Sequence, residues 1–135
     1  MALYLVGCGS GGESPVEMSA NSEGKFQISS KADSVTIQGM KLNRDNCVVR
    51  FSQIYARAIS VQDFKDEASA YEHIKDKEKL ADMQNKISQL EQKGVMMEPQ
   101  TLKFGESLKG ISQGCDIIES EIQTDKGAWT FNFNR

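Results

Sequence analysis

Residues 61–93 run for 33 positions without a glycine or a proline, in a composition rich in Glu, Lys, Gln and Ala. Such residues favour helix, because straight side chains lose little rotamer freedom there and Ala loses none. Ser60 is a suitable N-cap and Gly94 a suitable stop. At about 1.5 Å per residue an unbroken helix here would span about 50 Å. A body of about 110 residues is only about 30–35 Å across. The apolar stripe also changes face. Phe64, Ala68, Tyr71 and Ile74 share one sector, whereas Leu80, Met83, Ile87 and Leu90 share another, turned by more than about 100°. The charged run Lys75-Asp76-Lys77-Glu78-Lys79 separates them. One half is therefore expected to pack on a sheet. The other meets a partner or folds back after a break near 75–79, unless a bent helix uses both stripes in its own core. Leu80, Met83, Ile87 and Leu90 are the candidate partner-binding residues.

Both flanks of this segment read as strands. Phe26 alternates with Ile28 and Val35 with Ile37, and Gly39 then shifts the alternation, a bulge signal. Asn43-Arg44-Asp45-Asn46 reads as a turn, and Cys47–Tyr55, rich in β-branched and aromatic residues, as a returning strand. Downstream, Leu102, Phe104, Leu108 and Ile111 precede Ile118 and Ile122, which are assigned to one strand face with Glu119 and Glu121 opposite. Asp125-Lys126-Gly127 fits a tight hairpin before the alternation of Trp129, Phe131 and Phe133. The expected architecture is α+β: a small antiparallel sheet from 25–57 and 100–134, with one long helix or a helical hairpin inserted between the two strand groups. Residues 25–135 form a single domain in this reading.

The amino end, Met1-Ala2-Leu3-Tyr4-Leu5-Val6-Gly7-Cys8-Gly9-Ser10-Gly11-Gly12, admits two readings. Its Gly-rich run resembles the first motif of methyltransferases that use S-adenosylmethionine. That motif needs a helix directly after the glycines, and Ser14-Pro15 and Asn21-Ser22 oppose one. Leu5-Val6-Gly7-Cys8 instead resembles the lipobox of bacterial lipoproteins, in which the Cys is lipidated and becomes the new amino terminus. The resemblance implies cleavage behind Gly7 and lipid on Cys8. It also implies anchoring in the cell envelope, on the periplasmic side of the outer membrane in a Gram-negative host. Residues 1–24 are read as a truncated signal with its lipobox, followed by a flexible tether of Gly, Ser, Asn and Glu. The ending from Cys115 through Phe133 resembles small uncharacterised exported proteins of Gram-negative bacteria, a likeness that implies no activity.

An exported setting gives the cysteines a fate. Of Cys8, Cys47 and Cys115, the last two remain to pair if Cys8 carries lipid, and two buried thiols are the other possibility. A net charge of −3 and a pI near 5.2 argue against general binding of nucleic acid or of an anionic membrane. No metal site is expected, because the cysteines lie far apart and His73, the chain's one histidine, sits in a charged helical stretch. No HExxH, GxSxG, P-loop or EF-hand pattern occurs. The sequence is therefore read as non-enzymatic and without a cofactor. It suggests a scaffold or interaction component with an envelope-protein partner, in a secretion, conjugation or surface-exclusion system. The alternative is a secreted or periplasmic binding module, an inhibitor or small-ligand carrier.

Overall fold

The computed structural model describes the backbone of Val6–Gly9 and residues 13–133. Among these residues the strands form two antiparallel sheets, one of five strands and one of three. The larger contains β1 (Val6–Gly9), β4 (Ser34–Leu42), β5 (Gln100–Lys103), β7 (Glu119–Thr124) and β8 (Gly127–Asn132), in the order β1-β8-β7-β4-β5. The smaller contains β2 (Val16–Ala20), β3 (Lys25–Ser30) and β6 (Ser107–Ile111), in the order β2-β3-β6. Alternate residues of both sheets enter one apolar cluster: Val16 and Met18, Phe26 and Ile28, Leu108, Val35 and Ile37, Ile122, Trp129 and Phe131. Period-two burial along each strand is what a two-layer packing requires. The α+β class, with helices between two antiparallel strand groups, is as the sequence suggests. The single sheet is not: β3 pairs with β2 and β6, and β4 with β5 and β7.

The corner between β3 and β4 sends the chain from one sheet to the other. The Ser30 hydroxyl donates to the Ala32 carbonyl at 2.8 Å and accepts from the Ala32 N–H at 3.2 Å. Inside β4 the pairing with β7 slips between Ile37 and Gly39, as the glycine predicts. Gly110 answers a different need. A Cβ there would stand 2.9 Å from two ring carbons of Phe51. Phe51 and Phe26 meet edge to face beside it, with ring centroids 5.9 Å apart.

Two further expectations need correction. The tether does not extend to residue 24, because Val16, Met18 and Ala20 of β2 are buried in the core. The alternation Val16-Glu17-Met18-Ser19-Ala20 was present but short, and its polar surroundings masked it. Nor is Cys47–Tyr55 a strand. It makes only the isolated bridges Leu42↔Cys47 and Arg50↔Ile111 before α1 (Ser52–Tyr55). The N–H groups of Phe51 and Ser52 are drawn away from any ladder by the carboxylate of Asp63, at 3.0–3.2 Å. Ala56, at φ 56°, then ends α1.

The long helical segment divides into α2 (Val61–His73) and α3 (Lys77–Gln92). Ser60 caps α2 through its side chain, which accepts from the Asp63 N–H, and Asp63 returns the favour at the Ser60 N–H, closing a capping box. Lys75 adopts φ 58° at the break, and Asp76 restarts the helix by accepting from the Lys79 N–H at 3.1 Å. The result is a hairpin whose helices pack on each other rather than along a sheet. Phe64 and Ala68 of α2 and Leu90 of α3 are buried, yet lie outside the cluster shared by the sheets. Lys65 reaches Glu91 at 3.6 Å across the seam, and the Lys79 ammonium stands 5.6 Å from the Tyr71 ring centroid. The expectation that one helix half lies on the sheet fails: the two helices contact each other, with Phe64, Ala68 and Leu90 buried, while Ile74 of the first stripe is 69% exposed at the break.

The root of the hairpin is a narrow stem. Ser60 bridges Met97, the Val61 N–H donates to the Met96 carbonyl at 2.8 Å, and the Glu98 N–H donates to the Ile59 carbonyl at 2.9 Å. Ile59 and Met97 are fully buried in the main core. Lys86 of α3 pairs with Glu98 at 2.8 Å just outside the stem.

Candidate functional site

Val6–Gly9 lies on an edge of the large sheet. In β1, Val6 stands opposite Asn132, Gly7 opposite Phe131, Cys8 opposite Thr130 and Gly9 opposite Trp129. Leu5 and tether residues 10–12 lie outside the described residues. Moving from Gly9 back to Val6 therefore leads toward the end of the large sheet where β8 finishes. At that end Asn132 pairs with Glu119, Leu42 with Ser120, and the Phe133 N–H donates to the Ile118 carbonyl at 2.9 Å.

The same end carries the disulfide. Cys47 and Cys115 are bridged, with Cα atoms 6.1 Å apart. Asn43 organises the two joined loops. At φ 51° it opens the 43–46 turn. Its amide nitrogen donates to the Asp116 carbonyl at 2.9 Å and approaches both sulfurs, Cys115 at 3.5 Å and Cys47 at 3.6 Å. Its amide oxygen accepts from the N–H groups of Ile118 and Glu119 at 2.9 and 3.1 Å. Asn tolerates the left-handed conformation and offers both a donor and an acceptor, so one residue can serve turn and loop together. Around it Arg44, 83% exposed, pairs with Glu119 at 3.2 Å. Val48 and Ile118 are 46% and 53% exposed. Ile118 precedes β7 instead of sharing its inner face, so it is Ser120 that joins Ile122 inside.

The proposed partner quartet is mostly committed to the hairpin. Leu90 is buried, Leu80, Met83 and Ile87 are half-buried, and the helix that carries them, α3, packs against α2. A cleft of about 590 Å³ lies elsewhere, along β2, bordered by Glu13, Ser14, Glu17, Lys31, Met18 and Phe131 among others. The Ser14 hydroxyl there holds the edge of β2, donating to the Val16 carbonyl at 2.8 Å and accepting from its N–H at 3.2 Å. On the outer face of the small sheet, Gln27 donates to Ser29 and Ser107, whose hydroxyls bond each other at 2.8 Å.

Titratable groups near the hairpin root are structural in their contacts. Asp63 is fully buried, and its two oxygens accept from the N–H groups of Phe51, Ser52, Ile59 and Ser60. Arg50 binds Asp66 at 2.7 Å, and Gln62 donates to the same carboxylate at 3.0 Å. Burial pushes the Asp66 carboxyl upward, but the hydrogen bonds from Arg50 and Gln62, with the charge of Arg50, outweigh it and hold it below its ordinary value. Its hydrogen bond to Asp66, opposed by burial, raises Arg50. The sequence signal for the buried Asp63 is its place three residues after the N-cap Ser60. His73 is exposed in the last turn of α2. Among the described residues no group of three or more His, Cys, Asp or Glu side chains could hold a metal ion, and no helix is long and apolar enough to cross a membrane. The chain matches no family model, no curated protein and no solved structure.

Proposed function

We propose that the protein is a non-enzymatic envelope lipoprotein, lipidated on Cys8, that scaffolds or contacts another envelope protein within a secretion, conjugation or surface-exclusion assembly. The observation that carries this reading is the division of the cysteines. Cys47 and Cys115 are paired, a state that persists in oxidising compartments, and the remaining Cys8 is the one at the end of Leu5-Val6-Gly7-Cys8. Cleavage behind Gly7 would leave Cys8 and Gly9 as the first residues, still opposite Thr130 and Trp129. The test is expression of the native gene with labelled palmitate. Label on the wild-type chain, its absence from Cys8→Ser, and an amino-terminal mass for a lipidated Cys8 support the reading; an unmodified Cys8 sinks it.

The cleft along β2 favours a second reading, a periplasmic binding module. Its polar and charged border, with Glu13, Glu17 and Lys31, suits a small polar ligand better than a lipid. Native mass spectrometry of the protein taken from the envelope tests this. A retained small molecule lost in Glu17→Trp, an exposed position on the cleft border, supports the carrier; a bare chain opposes it.

A further inference from the structure

We infer that the end of the large sheet built from the 43–46 turn and the Cys47–Cys115 loops faces the bilayer, with Val48 and Ile118 seated among the lipid headgroups. The inference rests on lipidation of Cys8. Its geometry comes from the register of β1, which places Cys8 opposite Thr130, two residues inside the end of β8 at Asn132. At about 3.4 Å per residue this is about 7 Å. The lipid-bearing residue and the disulfide loops therefore lie at one end of the fold.

The chain after Cys8 reinforces the point. With β2 part of the core from Val16 onward, only seven residues, spanned by eight Cα–Cα steps, separate the anchor from the body. Even fully extended, with β1 peeled from β8, they reach at most about 29 Å. The body cannot be carried far from the membrane. Its disulfide end is the one the register already brings there.

The surface at that end suits lipid. Val48 follows Cys47 directly and Ile118 lies three residues beyond Cys115, so the bridge ties both exposed side chains to one rigid platform. Exposed aliphatic side chains on a rigid surface are what a membrane interface accepts. The charges around them are mixed: Lys41 and Arg44 against Asp45, Asp116, Glu119 and Glu121. Contact is thus apolar in origin and does not require anionic lipid. Phe104, 70% exposed, marks the opposite end, because neighbouring Lys103 pairs with Ser34, where β4 begins.

The experiment uses the lipidated full chain, reconstituted in phosphatidylcholine vesicles with brominated acyl chains, alone or with added phosphatidylglycerol. Ile118→Trp, Val48→Trp and Phe104→Trp are compared, Trp129 being buried in all. A side chain seated at the headgroup–acyl boundary, about 5–10 Å deep, lies within reach of the acyl bromines and is expected to lose emission relative to the same variant in unbrominated vesicles. That loss should appear in Ile118→Trp and Val48→Trp, with either lipid, and not in Phe104→Trp. Equal quenching at all three positions, or none at 48 and 118, overturns the inference. A blue shift at 118 without quenching does so as well, since it marks a protein contact or a second copy. The mass of the amino-terminal peptide separates the two failures. Lipid on Cys8 without quenching leaves the lipoprotein reading intact, whereas Cys8 without lipid removes both.

Discussion

Asp63→Asn removes a carboxylate that organises the root of the helical hairpin. One oxygen of Asp63 accepts from Phe51 and Ser52 at 3.1 and 3.2 Å, and the other from Phe51, Ile59 and Ser60 at 3.0–3.1 Å. Asparagine keeps one oxygen and turns an NH₂ group toward the donors that had the other. Whichever way the amide sits, at least one buried N–H loses its acceptor and meets a donor instead. Leaving a buried donor unpaired costs about 1–3 kcal/mol, and the surviving bonds lose their charge assistance. The expected destabilisation is about 3–4 kcal/mol, a large share of the roughly 5–15 kcal/mol that holds a domain together. Urea unfolding followed by Trp129 fluorescence and by far-ultraviolet circular dichroism measures it. Hydrogen exchange should quicken first at Phe51, Ser52, Ile59 and Ser60. A loss below about 1 kcal/mol, within the range of an ordinary surface substitution, would refute the reasoning.

The remaining expectations concern the bridge, the ion pair and the seam. Replacing Cys47 and Cys115 together by Ala should cost about 4 kcal/mol, from the release of a loop spanning 68 residues; urea midpoints unchanged by reductant would contradict this. The depressed Asp66 adds stability that is complete above its unfolded value near about 4 and is lost as pH falls through its lower folded value. With both partners partly exposed that amount stays below about 1 kcal/mol, and Arg50→Gln should remove it from the acid limb of a stability–pH curve. Leu80→Gln with Ile87→Gln should loosen the hairpin by about 1–2 kcal/mol at each site, seen as lost helicity. Intact helicity with lost association to a partner would instead restore this stripe as a docking face.

What the sequence made legible was local. Ser60 and Gly94 act within a turn of the helices they bound, and the break between two apolar stripes falls where the charged run stands, although that run does not by itself single out Asp76 as the cap. Gly39 and the 43–46 turn also declare themselves through neighbours in the chain. What stayed hidden depended on distant partners. Phe51 and Ser52 leave a strand-like sequence for a helical turn because Asp63, eleven or more residues away, takes their N–H groups. Asn43 looks like any turn asparagine until Cys115, Asp116 and Ile118 arrive beside it. The β2 strand is too short to outweigh its Ser- and Glu-rich setting, and only its pairing with β3 reveals it.

The stem at the foot of the hairpin bears on how the chain finds its fold. Ser34 and Lys103, the ends of the β4–β5 pairing, are 69 residues apart. Once Ser60 and Met97 have met, the intervening hairpin no longer counts as slack, and the effective loop shrinks to about 32 residues. Closing the shorter loop is easier by about 0.7 kcal/mol, or about threefold in rate. Helices joined by a short turn form in microseconds, whereas sheets of distant strands assemble more slowly. The expected order is therefore hairpin before sheets, and mutations that slow its closure should slow the pairing of β4 with β5.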